Sequence, residues 1–139
     1  MRITTFNVFW LGTPEHDRIL RGPDDEALLA RVIGILDADA IVFQEIVNLG
    51  LLESLLQKAS AACGRDLVVR NVDGRWLTTG RMRSRTSHIQ KLALAYDRRT
   101  LDLAELLHPF TDRTWPGPRA PIAARLTHRA SGFDLTLVG

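Results

Sequence analysis

A chain of 139 residues with 45% hydrophobic and 24% charged side chains suits one packed domain and excludes a disordered or fibrous protein. No apolar run nears the roughly 18 residues of a membrane span, and Cys63, the only cysteine, excludes an internal disulfide or a cysteine metal cluster. The net charge of +2 is modest and almost wholly arginine, with Lys58 and Lys91 the only lysines; arginine suits bidentate phosphate contacts, and genomic codon bias accounts for the same excess.

The chain opens on a strand. Residues 2 to 9 carry Ile3, Phe6 and Val8 as apolar positions and include the polar Asn7. Met1-Arg2 leads straight into this segment without an apolar leader, so a cytoplasmic location is the expectation. Thr13 to Pro23 is a polar loop, and Asp24, Asp25 and Glu26 suit a helix N-terminus. Leu29, Val32, Ile33 and Leu36 then keep the i, i+3, i+4, i+7 spacing of an amphipathic helix. Ala40 to Phe43 is a continuous apolar run, as in a strand buried on both faces, and it ends on Gln44 and Glu45. Leu52, Leu55, Leu56 and Ala59 mark a second helix, with Cys63 a small buried apolar residue near its end and Gly64 its C-cap.

Strands follow. Asp66 to Val72 is one; residues 73 to 88 are polar and hold Arg81, Arg83 and Arg85; Lys91 to Tyr96 is the next strand, closed by a turn at 97–100. Leu101 to Leu107 fits a strand or a short helix, since its spacing suits both. Pro109 to Pro118 is a loop, and Pro121–Leu126 and Phe133–Val138 are strands joined through the turn His128–Gly132. The order predicts an α/β sandwich with helices packed on a mixed sheet.

Chemistry concentrates at two strand ends. A carboxylate there, Glu45, suits a hard divalent cation, which is bound through one or two carboxylates plus water and phosphate oxygens; a helix N-terminal acid or a solvated loop residue is the plainer alternative. Asn7 is an amide able to orient that carboxylate or a phosphate, or to bond its own backbone in a turn. The arginines at 81, 83 and 85 fit a nucleic-acid backbone or a solvated basic loop. His16, His88, His108 and His128 show no ligand spacing and read as loop or surface residues, and neither a glycine-rich phosphate loop nor a GxSxG elbow occurs.

The phrases Thr4-Thr5-Phe6-Asn7-Val8 and Ile41-Val42-Phe43-Gln44-Glu45, a helix apart, resemble the opening of the endonuclease/exonuclease/phosphatase (DNase I-like) family. The resemblance implies that Gln44-Glu45 is that family's metal-binding pair and Asn7 the asparagine of its first strand. It aligns Gln90 with a polar residue that orients a catalytic histidine, where DNase-like members carry Glu. Arg119-Ala120-Pro121 is similar to the family's Arg-x-Pro element, which places a guanidinium near the scissile phosphate; a surface Arg before an edge Pro is the alternative.

The implied catalytic set is Asn7, Gln90 and Arg119, with Glu45 and Asn7 at Mg²⁺ or Mn²⁺. Residues 1–139 are then the N-terminal portion of one DNase I-like domain, apparently truncated and inactive alone, because the family's catalytic histidine, Asp-x-Asn element and Asp-His pair find no match. The expected whole is a Mg²⁺-dependent phosphodiesterase or nuclease, with nucleic acid favoured as substrate. A family phosphatase acting on a small or lipid phosphoester, and a non-catalytic binding or assembly module, are the alternatives. The last strand, with Phe133, Leu135, Leu137 and Val138, is expected to leave an edge through which copies associate.

Overall fold

The computed structural model describes residues 1–12, 21–71, 91–107 and 121–139. Seven strands and two helices follow in the order β1 (Ile3–Leu11), α1 (Pro23–Leu36), β2 (Ala40–Ile46), α2 (Leu49–Cys63), β3 (Leu67–Asn71), β4 (Lys91–Asp97), β5 (Leu101–Leu107), β6 (Ala123–His128) and β7 (Phe133–Val138). Leu101–Leu107 is thus a strand, and β1 and β2 run further than their apolar runs suggest. Gln90, Arg119 and the arginines at 81, 83 and 85 lie outside the described residues.

Both helices are fixed by their ends. Pro23 opens α1, where its missing N–H costs nothing, and the Gly22 N–H donates to Asp25 Oδ2 at 2.9 Å. Asn48 caps α2, its Oδ1 accepting from Leu51 N at 3.1 Å. Gly64 ends α2 at φ +68, a conformation glycine adopts freely.

The strands form two sheets. The first has the order β1-β2-β4-β3, with β1 and β2 parallel and the other pairs antiparallel. The second is an antiparallel β5-β6-β7 meander. Helices α1 and α2 cover one face of the first sheet, where Ile33, Leu52, Leu55 and Leu56 meet Ile41, Phe43, Ala93 and Ala95. The second sheet covers the other face, where Leu101, Ile122, Ala124 and Leu126 meet Ala40, Val42, Leu94 and Tyr96. Strand β2 is therefore buried on both faces, as its unbroken apolar run requires. The result is three layers: helices, mixed sheet, antiparallel sheet. Phe43 is fully buried at the centre of the helix-side core, where truncation to alanine costs about 3–5 kcal/mol.

Among the described residues, no helix is long and apolar enough to cross a membrane. Cys63 is not fully buried as expected; it is a free thiol of intermediate exposure between α1 and α2.

Candidate active site

The parallel register of β1 and β2 sets Ile3 beside Ala40 and carries the pairing up to Asn7 beside Gln44. Beyond that level both strands break step. On β1 the residues that enter the helix-side core are Phe6, Val8 and then Leu11. On β2 they are Ile41, Phe43 and then Ile46. Each strand thus shifts from a spacing of two to a spacing of three, the mark of a bulge. The ladders shift register at the same places, between Asn7 and Leu11 and between Phe43 and Ile46.

The bulge decides where Glu45 points. By strict alternation Glu45 would share the face of Ile41 and Phe43 and drive a carboxylate into the helix-side core. Instead its backbone turns left-handed at φ +63, and the side chain emerges on the opposite face, beside Asn7. Asn7 Nδ2 donates to Glu45 Oε1 at 3.1 Å. The Asn7 amide is oriented without ambiguity, because its Oδ1 accepts from Phe9 N at 2.9 Å. Earlier along the same two strands, Gln44 Nε2 donates to Thr5 Oγ1 at 3.0 Å.

The β1 bulge is itself braced. Phe9 and Trp10 are both left-handed, at φ +43 and +54, a state costing roughly 1–3 kcal/mol for each such residue. Arg21 Nη2 donates to Val8 O at 2.6 Å. Leu11 O accepts from both Val47 N and Asn48 N at 3.0 Å. Gly12 lies so close to Asn48 that a Cβ there would stand 2.3 Å from Asn48 Cβ.

Asn7 and Glu45, singled out in the sequence, therefore meet at the carboxyl ends of two parallel strands, the edge where open α/β sheets place ligands. Gln90 and Arg119 cannot be placed with them, lying outside the described residues. The donors present are one carboxylate and amide side chains, all oxygen ligands at a partly exposed edge. Such a set suits a hard cation that keeps water and phosphate oxygens in its shell. Among the described residues no group of three or more His, Cys, Asp or Glu could hold an ion.

A second polar cluster, unforeseen in the sequence, occupies the opposite end of the first sheet. Arg65 reaches Asp37, Asp39 and Asp97 at 2.7, 3.0 and 3.1 Å. Asp39 also accepts from Arg2 N at 2.5 Å and Thr100 Oγ1 at 2.9 Å, and Asp97 from Asp66 N and Arg99 N. Burial pushes the Asp39 carboxyl up, but the Arg2 amide, Thr100 hydroxyl and Arg65 guanidinium outweigh it and hold the group below the usual carboxylate range. Burial opposes the charge on Arg65, and its aspartate partners more than restore it.

No protein-family model and no curated protein matches the sequence. Solved structures match it by shape. An endonuclease/exonuclease/phosphatase family protein from Bacteroides thetaiotaomicron aligns over 98% of this chain and 48% of its own, with a TM-score of 0.66 and 14% identity. The chain has the fold of the endonuclease/exonuclease/phosphatase proteins. A second such protein, from Bacteroides vulgatus, aligns over 96% of this chain and 49% of its own, with a TM-score of 0.55 and 17% identity. A mannosyl-6-phosphatase from Bacteroides thetaiotaomicron aligns over 98% and 49%, with a TM-score of 0.60 and 13% identity. The chain spans about half the length of the solved structures it matches.

Proposed function

We propose that the chain is the N-terminal part of a divalent-cation-dependent phosphoester hydrolase, with Glu45 the carboxylate that holds a Mg²⁺ or Mn²⁺ ion. The carrying observation is the Asn7–Glu45 hydrogen bond across paired bulges, with Glu45 held in a left-handed conformation. A partly exposed acid on a left-handed backbone at strand ends is costly to maintain, which favours a functional role. The fold likeness to phosphoester hydrolases, a mannosyl-6-phosphatase among them, supports the same reading.

The ion, when bound, neutralises developing phosphoryl charge. Glu45 supplies its negative ligand. Asn7 fixes Oε1 of that ligand through Nδ2, and its Oδ1, which accepts from Phe9 N, would leave a further oxygen lone pair available as a ligand. The Thr5–Gln44 pair holds the neighbouring strand ends together. Gln90 would orient a general-base histidine from the half of the fold that this chain does not span, and Arg119 would offset substrate phosphate charge. The preferred substrate class is nucleic acid, on the strength of the arginines at 81, 83 and 85. The free thiol of Cys63 fits a cytoplasmic setting.

Glu45→Gln in the whole protein tests the assignment. Metal-dependent phosphodiester hydrolysis should fall roughly a hundredfold or more while the protein stays folded; a near-normal rate would place the metal elsewhere.

A further inference from the structure

Phe9 stands two residues from Asn7 and is 51% exposed. Exposed apolar side chains are common, and Leu28, Ile35, Phe133 and Val138 share this exposure in regular helices or strands. Phe9 differs in its backbone. It is left-handed at φ +43 and followed by a left-handed Trp10, although aromatic side chains disfavour that region and Asp or Asn tolerate it. The chain therefore bears two costs at one residue: a strained backbone, and an aromatic ring kept in water. Neither cost is a by-product of looseness. The Asn7 side chain holds the Phe9 N–H, Arg21 holds the preceding carbonyl, and the fully buried Leu11 anchors the far side. The half-exposed ring is carried on a braced backbone that is hydrogen-bonded to the polar pair through Asn7.

We propose that Phe9 is a stacking platform for a nucleobase, so that the site takes nucleotide-bearing phosphoesters, single-stranded nucleic acid above all. This deepens the phosphoester reading and rests on it. Phosphate chemistry at Asn7 and Glu45 is indifferent to what the phosphate is attached to. A flat apolar face adjoining it is not, because every base has a π-face and sugars or alkyl chains have none. Bracing the ring in advance removes most of the ordering cost on binding.

The test uses the whole chain in Mg²⁺ with two fluorescent single strands of equal length, one with bases and one built of abasic tetrahydrofuran units. Anisotropy gives the ratio of their affinities. The expected ratio favours the base-bearing strand by about tenfold. Phe9→Leu, which keeps an apolar side chain and loses the ring, should bring that ratio near one, and Phe9→Tyr should retain it; thermal melts establish that both variants are folded. An undiminished ratio in Phe9→Leu, or no preference in the native chain when both strands bind, overturns the nucleobase proposal and leaves the phosphoester reading standing. If neither strand binds and Glu45→Gln changes nothing, the phosphoester reading fails and this proposal with it.

Discussion

The two ends of the four-stranded sheet treat charge in opposite ways. At the amino ends of β1, β2 and β3, Asp39 and Asp97 are buried and accept hydrogen bonds from their neighbours, with Arg65 at the hub. At the carboxyl ends of β1 and β2, Glu45 stays partly exposed, leans on a neutral amide, and sits on a left-handed backbone. The first end spends its hydrogen bonds on holding loops together: one guanidinium ties the end of α1, the start of β2 and the end of β4. The second leaves an acid in a position that adds nothing to packing. Buried, hydrogen-bonded charge marks architecture here, and a partly exposed acid on a left-handed backbone marks a site.

Breaking the hub should have the largest effect. Arg65→Ala leaves Asp39 and Asp97 buried without the guanidinium they share and is expected to cost about 3–5 kcal/mol, read as a lower urea midpoint. A loss under 1 kcal/mol would mean that water or a rearranged arginine replaces it, and that this end is less committed to structure than described. The same end should also dominate the acid response. Asp39 has a lowered folded pKa, so its stabilisation is complete above the ordinary carboxylate value of about 3.9 and disappears as pH falls through the folded value. Urea midpoints between about pH 5 and pH 2.5 should therefore decline, and Asp39→Asn, weaker throughout, should show a shallower decline. The smallest effect has the opposite sign. Glu45→Gly removes the side chain from a left-handed position and should raise stability by about 1 kcal/mol while abolishing metal binding. A destabilised Glu45→Gly chain would show that the carboxylate is structural after all.

Much of this was readable in the sequence. The helical spacing of Leu29, Val32, Ile33 and Leu36, and the unbroken run Ala40–Phe43, report local periodicity and burial, and both gave the right elements. The candidate pair was legible through the likeness of the two strand ends to a known family, since position alone left Glu45 as readily a helix N-terminal acid or a solvated loop residue. The bulges were present as well, in the two-then-three spacing of Phe6, Val8, Leu11 and of Ile41, Phe43, Ile46, but only the observed core shows that the same side chains face inward. Leu101, Leu103 and Leu106 repeat that spacing, since β5 also shifts register between Leu103 and Glu105, and this is why the segment suits a helix equally well on paper. The Arg65 hub was invisible for a different reason. Its partners lie 26 to 32 residues away or more than a helix back, in segments that only the folded sheet brings together. The fold likeness adds the frame, of which the chain spans about half.

The central claim is that the acid at the bulged end takes a divalent cation and the three aspartates at the other end do not. A Mn²⁺ titration of the isotope-labelled chain, followed by paramagnetic broadening of backbone amide signals, tests it at both ends in one experiment. Broadening is expected to centre on residues 7, 9 and 45 and to be lost in Glu45→Gln, with signals at 37, 39 and 97 left sharp. Broadening centred on Asp37, Asp39 and Asp97, or none near Asn7 and Glu45, would contradict it.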